Sequence, residues 1–332
     1  MTINIGINGL GRIGRSVARA MIEEGYDDIK LVAANGAAPN ETHAHLLQFD
    51  SVHGRFQHKI TADDKGLDMG RGHITINHER EPKRIDWKAL GVDIVLECTG
   101  AFNSREAASV HLAQGARRVL ISAPASDACP TIVYGVNDQT IMPEHTVISV
   151  GSCTTNCLAP VAQALDKTFG IVAGSMTTIH AYTSDQNIQD GTHKDLRRAR
   201  AAALSMVPTK TGAAKAIGLV LPQLAGKLSG SAIRVPTANV SLVDLVVSLA
   251  KPTTKEAVNE ALVAAAKALP KNVMKTDTRP LVSVDYVHDN ASAIVDLTAT
   301  TVTGGTLARV AAWYDNEWGF SCRMLDMVRK LA

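Results

Sequence analysis

Apolar and polar positions along the chain follow two periods, and the change from one to the other marks the elements. Residues 2–7, Thr-Ile-Asn-Ile-Gly-Ile, read as a short strand containing β-branched residues. Gly11 to Glu24 reads as a helix, because Ile13, Val17 and Met21 recur every four residues as one apolar stripe. Residues 29–34 read as a second strand. Val92–Cys98 and Val119–Ile121 are apolar runs that suit strands covered on both faces. Strands alternating with helices in this way predict βαβ units and an α/β fold with a Rossmann-type, doubly wound parallel sheet.

Past the middle of the chain the pattern changes. A helix is predicted from near Ser152 toward Phe169, followed by strand-like runs at 173–181, 231–249, 291–302 and 307–314, rich in Val, Ile and Thr. Lys255–Leu269 reads as an amphipathic, Ala-rich helix and Ser321–Leu331 as a short terminal one. So few helices between strands predict an α+β catalytic domain with a mixed or antiparallel sheet. The expected division is a dinucleotide-binding domain at 1–151 and a catalytic domain at 152–316, with the helix at 317–332 packing back on the first. Between Asn187 and Arg200 the chain is polar and aperiodic, which predicts a long loop of the kind that often carries function.

Composition narrows the classes. A chain of 332 residues suits about two domains. At 45% hydrophobic and 20% charged residues it is neither disordered nor of low complexity. Lys plus Arg number 34 against 32 Asp plus Glu, a net charge of +2 that gives no reason to expect nucleic acid or an anionic membrane as partner. There is no run of about 18 apolar residues, and the N-terminus lacks the pattern of a secretory signal. Five scattered cysteines (Cys98, Cys129, Cys153, Cys157 and Cys322) do not make a disulfide framework and fit a reducing, cytoplasmic setting.

Two segments carry candidate chemistry. Gly9-Leu-Gly11-Arg-Ile-Gly14 matches G-x-G-x-x-G between a predicted strand and a predicted helix, the context in which it binds a dinucleotide. Gly9 allows the tight turn, Gly11 the approach of the backbone to the pyrophosphate, and Gly14 close helix–strand packing. The helix N-terminus offers free N–H groups to the phosphates. The acid expected about 20 residues on, which would take the ribose hydroxyls, is missing: the second strand ends at Asn35-Gly36. In Ser152-Cys153-Thr154-Thr155-Asn156-Cys157, Cys153 falls at a helix N-terminus, where the dipole favours thiolate. Cys157 reads as a buried hydrophobe, and no second ligand pair stands at zinc-site spacing, so no metal is expected. A thiolate needs a base, and His180 falls at the end of a predicted strand; among eleven histidines, composition alone cannot select it.

GINGLGRIGR, SVHGRF, SCTTNC, TIHAYT, HKDLRRARAAA, TGAAKA, RVPT and WYDNEWG occur in that order from the first strand to the last helix. Together they resemble the phosphorylating glyceraldehyde-3-phosphate dehydrogenase family. The resemblance implies Cys153 as nucleophile and His180 as its activating base. The reaction implied is oxidation of glyceraldehyde 3-phosphate through a thiohemiacetal and thioester, released by inorganic phosphate, with hydride passing to NAD or NADP. It further implies that Ser152, Thr154, Thr183, Arg198, Thr211, Gly212 and Arg234 bind substrate and phosphate. Arg12, Ile13, Arg80, Ser122 and Asn316 join the glycine loop, Asn35 and Gly36 at the cofactor. A homotetramer is implied, with the 187–200 loop between subunits.

The chain departs from the family pattern at three places. Gly36 stands where Asp is usual, Gly191-Thr192 where NAD-restricted members carry Leu-Pro, and Val150-Gly151 where Asn-Ala is usual. The first removes repulsion of a 2′-phosphate and the second offers a hydroxyl, so NADP is expected to be accepted. Two other readings are an erythrose-4-phosphate dehydrogenase and a silent dinucleotide-binding regulator. Retention of Thr183 and Thr211-Gly212 speaks against the first, and the intact Cys153, His180, Arg198 and Arg234 against the second.

Overall fold

The structure, a computed structural model, describes residues 2–332. It divides into two units, residues 1–134, 138–151 and 321–332, and residues 135–137 and 152–320.

In the first unit the elements run β1 (Ile3–Asn8), α1 (Arg12–Glu23), β2 (Ile29–Asn35), α2 (Asn40–Gln48), β3 (Phe49–Asp50), β4 (Gly54–Arg55), β5 (Thr61–Asp63), β6 (Gly66–Asp68), β7 (His73–Asn77), β8 (Ile94–Glu97), α3 (Arg105–Ala108), α4 (Val110–Ala113), β9 (Arg118–Ile121) and β10 (Val147–Ser149). Eight strands form one sheet in the order β10-β9-β8-β1-β2-β7-β6-β5. It is parallel from β10 to β7; β6 and β5 continue it antiparallel at one edge. That edge, with α2, was not legible as regular structure: its strands are three to five residues long, too short to show a period. Ile5, Ile7, Val95 and Leu120 are buried on the central strands, as the apolar runs require. The last helix, α8 (Trp318–Leu331), enters this unit at Ser321. There Tyr26 donates from its hydroxyl to the Cys322 carbonyl (3.2 Å) and to Asp326 Oδ1 (3.0 Å).

The second unit contains α5 (Cys153–Phe169), β11 (Ile171–Ala181), β12 (Val207–Lys210), α6 (Ala213–Val220), β13 (Leu228–Val235), β14 (Ser241–Leu249), α7 (Lys255–Ala268), β15 (Met274–Asp277), β16 (Ala293–Thr303) and β17 (Leu307–Tyr314). Its seven strands are ordered β12-β13-β11-β14-β17-β16-β15 and mix parallel with antiparallel pairs. The strand-like run 231–249 is two strands. Pro236 supplies no N–H to a ladder, and Val240 takes a left-handed φ of 67°, so the chain turns between Val235 and Ser241. β14 alternates buried and half-buried positions along its length, the signature of a sheet covered on one face. α5 packs on α6, α7 and the sheet. Leu158, Val161 and Leu165 are fully buried there, each contributing about 2 kcal/mol. No regular element is found between Ala181 and Val207.

Candidate active site

The glycine loop of the first unit is built by backbone necessity. Gly9 has φ of +104°, and its N–H donates to the Asn35 carbonyl (2.9 Å). A Cβ on Gly14 would stand 2.0 Å from the Gly9 carbonyl oxygen, so α1 can start this close to β1 only with glycine there. A Cβ on Gly11 would meet nothing within 4 Å, which leaves that face of the loop open. The loop borders a groove of about 430 Å³ that is also lined by Asn35, Gly36, Arg80 and Thr99. α1 begins at Arg12 with no side-chain cap on its terminal N–H groups. A dinucleotide pyrophosphate fits this combination of open backbone and uncapped helix end.

Other residues expected at the cofactor are placed as follows. Arg12 is paired with Asp50; burial works against that carboxylate, but Arg12 and the His53 and Val52 amides hold it well below its ordinary range. Ile13 is half-buried beside Arg12, and Arg80 is exposed. The Asn35 amide is spent on the protein, donating to Asn8 Oδ1 (2.7 Å) and the Glu79 carbonyl (2.9 Å) and accepting from Glu79 N–H (2.9 Å). Gly36 accepts from His78 Nδ1 (2.9 Å). Ser122 is half-buried after β9.

Beneath the groove lies a network that no sequence signal announced. Glu97, 1% exposed, accepts on Oε2 from Asn8 Nδ2 (2.6 Å) and on Oε1 from Thr99 N–H (2.8 Å). Trp87 Nε1 donates to His111 Nδ1 (3.0 Å), so the His111 proton sits on Nε2 and is donated to Glu97 Oε2 (3.0 Å).

In the second unit β11 and α5 bring together two side chains 27 residues apart: Cys153 Sγ lies 3.6 Å from His180 Nε2. Cys153 is the first helical residue because Ser152 caps α5, its Oγ accepting from Thr155 N–H (3.0 Å). Gly151, at φ of +71°, makes the turn into that cap, a conformation that favours glycine at this departure from the family pattern. His180 ends β11. Its ring is ordered edge-on to Tyr314, whose hydroxyl is shared with Thr154 (2.8 Å) and Thr178 (2.9 Å). The Thr154 hydroxyl thus faces Tyr314, and it also acts on the Cys153 sulfur.

Arg234, beside His180 on the parallel strand β13, donates from Nη1 to His180 Nδ1 (2.7 Å) and to the Ala181 carbonyl (2.8 Å). Nδ1 also lies 2.7 Å from the Ala181 carbonyl. A guanidinium only donates, so while it holds Nδ1 the imidazole proton sits on Nε2, facing the sulfur. Burial and the Arg234 charge push His180 down to about 3. Burial pushes the Cys153 thiol up, and Arg234 is foremost in pulling it down. The helix terminus alone therefore does not decide the charge of the sulfur; the expected thiolate depends on its neighbours.

Arg198 Nε donates to Thr209 Oγ1 (3.0 Å) and its Nη1 pairs with Asp185, while Thr209 Oγ1 donates to Asp195 Oδ2 (2.6 Å). Asp185, Asp195 and Thr209 were not singled out from the sequence; polar residues in a loop and a short strand give no periodic signal. Burial and the Arg198 charge lower Arg234, whose buried Nε has no partner among the described residues. Such a pair of cations suits an anion. Thr183 follows β11 and Gly212 caps α6, where Thr211 Oγ1 accepts from Ala213 N–H (3.2 Å). Gly191 and Thr192 are exposed. Asn316 is buried, with Oδ1 accepting from Ser241 Oγ (2.8 Å); Ser241 Oγ in turn accepts from Ala181 N–H (3.1 Å). Ser241, also missed, thus ties the strand end that carries His180 to Asn316.

Residues 3–105 match the family model of the glyceraldehyde 3-phosphate dehydrogenase NAD binding domain, and residues 152–316 that of the C-terminal domain. The glyceraldehyde-3-phosphate dehydrogenase of Xanthobacter flavus is 56% identical over 326 residues, which covers 98% of this chain and 97% of its own. The protein of the same name from Cereibacter sphaeroides is 55% identical over 326 residues, with the same coverage. That of Geobacillus stearothermophilus is 51% identical over 333 residues, covering 100% of this chain and 99% of its own. With both its halves matched and relatives of this identity along its whole length, the chain belongs to the glyceraldehyde-3-phosphate dehydrogenase family.

Proposed function

We propose that this chain reversibly oxidises and phosphorylates D-glyceraldehyde 3-phosphate to 1,3-bisphosphoglycerate, with Cys153 as nucleophile and His180 as proton carrier. The observation that carries this reading is the 3.6 Å approach of Cys153 Sγ to His180 Nε2 at a capped helix start.

Cys153 sulfur attacks the aldehyde carbon, a C–S bond forms as the carbonyl π bond opens, and the proton lost by the thiol passes to the carbonyl oxygen to give the thiohemiacetal. A bound nicotinamide dinucleotide supplies the acceptor for the hydride. As the hydride leaves, His180 removes the hydroxyl proton and a thioester stays on Cys153. A phosphate oxygen then attacks the thioester carbon, the C–S bond breaks, and the acyl phosphate departs. His180 needs a different tautomer for each role. Held by Arg234, it presents Nε2–H to the sulfur or to the developing oxyanion. When substrate phosphate draws Arg234 away, the Ala181 carbonyl can accept from Nδ1–H, and the free Nε2 lone pair is a base. Substrate binding thereby arms the base.

Arg198, Arg234, Thr183, Thr211 and Gly212 hold the two phosphates, with Ser152 and Thr154 beside the reacting carbon. Gly9, Gly11, Arg12, Ile13 and Gly14 hold the pyrophosphate, Arg80 and Ser122 the adenosine side, and Asn316, oriented by Ser241, the nicotinamide amide. In this reading residues 1–151 with the helix from 317 form the dinucleotide-binding domain, and 152–316 the catalytic domain. NADP is accepted alongside NAD, because Gly36 offers no carboxylate to repel a 2′-phosphate and Thr192 offers a hydroxyl. The chain works in the cytoplasm as a homotetramer; Ile188, Leu196, Leu204 and Met206, all largely exposed in this chain alone, supply apolar surface to a subunit contact.

A phosphate-dependent assay with glyceraldehyde 3-phosphate, run with NAD and with NADP, tests the reading. Turnover that does not require phosphate would overturn the acyl-phosphate product, and an NAD preference above about a thousandfold, roughly 4 kcal/mol, would overturn NADP acceptance.

A further inference from the structure

The groove of the first unit contains a side chain that the reaction above leaves idle. His43, on α2, is 5% exposed and lines the groove beside the glycine loop. No hydrogen bond of ordinary geometry reaches either ring nitrogen among the described residues, the Gly36 backbone being the one hydrogen-bonding group close enough to act on the ring. A buried imidazole held by no well-formed hydrogen bond calls for a ligand or water to satisfy it. Its position is set by Gly36: a Cβ there would stand 2.4 Å from His43 Nε2 and 2.7 Å from Cε1. The ring thus fills the space in which any side chain at position 36 would begin. That is the strand end at which a dinucleotide fold places the acid for the ribose hydroxyls. Here an acceptor-only group is replaced by a ring that can donate.

The surroundings have the same bias. Arg80 lines the groove, His78 is bonded to the Gly36 carbonyl, and the charges of His78 and Arg15 act on His43; Glu79 is the acid of this lining. Burial foremost keeps His43 below the ordinary histidine value, with the Gly36 backbone acting in the opposite direction, so the neutral ring offers one N–H near neutral pH.

We propose that His43 binds the 2′-phosphate of a phosphorylated dinucleotide, donating from Nε2 to a phosphate oxygen beside Gly36. This rests on the reading that NADP is accepted and adds to it the residue that makes acceptance active binding and not mere loss of repulsion.

Calorimetric titration of the full-length protein with adenosine 2′,5′-bisphosphate and with 5′-AMP tests it without turnover. The bisphosphate is expected to bind the unsubstituted protein more tightly. His43→Leu should weaken bisphosphate binding about tenfold, the scale of one charge-assisted hydrogen bond, and leave 5′-AMP within about twofold. Gly36→Ala, which displaces the ring without removing it, should lose the same preference and serves if His43→Leu does not fold. If the unsubstituted protein shows no preference for the bisphosphate, NADP acceptance and the role of His43 both fall. A preference that survives in the folded variants, or equal losses for both ligands, overturns the role of His43 alone.

Discussion

The glycine loop and the thiol–imidazole centre are built by opposite means. The loop works by subtraction: Gly9, Gly11 and Gly14 remove side chains so that backbone can turn, lie open and pack closely. The centre works by addition: Cys153, His180 and Arg234 come from three elements, 27 and 54 residues apart, and each acquires its chemistry from the other two. A backbone-built site is a local property of a dozen residues and fails by sterics. A side-chain-built site is a property of the tertiary fold and fails by electrostatics.

Substitutions should separate these modes of failure. Cys153→Ser should lower kcat by at least about 10⁴-fold and His180→Asn by about 10²–10⁴-fold. Both should leave dinucleotide affinity, measured by fluorescence titration, within about threefold; a large loss there would mean that the centre also builds the groove.

Gly14→Ala should do the reverse. The 2.0 Å approach to the Gly9 carbonyl cannot be relieved by rotating a side chain. We expect about 2–4 kcal/mol of destabilisation in a denaturant melt and weakened dinucleotide binding. The rate of Cys153 alkylation should hardly change. A stable Gly14→Ala protein with native affinity would remove the steric account of the loop.

Arg234→Leu probes the electrostatic side. The guanidinium favours the thiolate and disfavours the imidazolium. Removing it raises the thiol pKa and lifts His180 from about 3 toward its ordinary value. The inflection in iodoacetamide alkylation of Cys153 should therefore move to higher pH, by about one unit. An unchanged inflection would show that Arg234 serves substrate phosphate only. The smallest effect is expected for Ser241→Ala, which frees Asn316 to rotate: a loss of about 1 kcal/mol, near fivefold in KM for the dinucleotide, with kcat little changed.

Legibility followed the same division. The glycine loop could be read because each glycine answers a local steric need at fixed spacing, and the strand and helix around it have clear periods. α5 could be read because its cap, Ser152, and its apolar face are local too. The edge strands β5 to β7 could not, being too short for a pattern, and the run 231–249 concealed a turn because Val240 is β-branched and still takes a left-handed φ. His180 could be chosen among eleven histidines only through the family motif. Nothing local marked Ser241, Asp185, Thr209 or the Glu97–His111 pair, since their partners lie far along the chain.

The order of elements, the family and the choice of Cys153 as the candidate nucleophile follow from the chain as written, because they depend on residue type, motif and near-neighbour spacing. Which nitrogen of His180 faces the sulfur, how Arg234 stands against the other, and why an imidazole occupies the space beside Gly36 were decided only on folding. Proton positions and charge depend on distances of 2–4 Å between residues dozens of positions apart, and only the closed sheet and its packed helices set those distances.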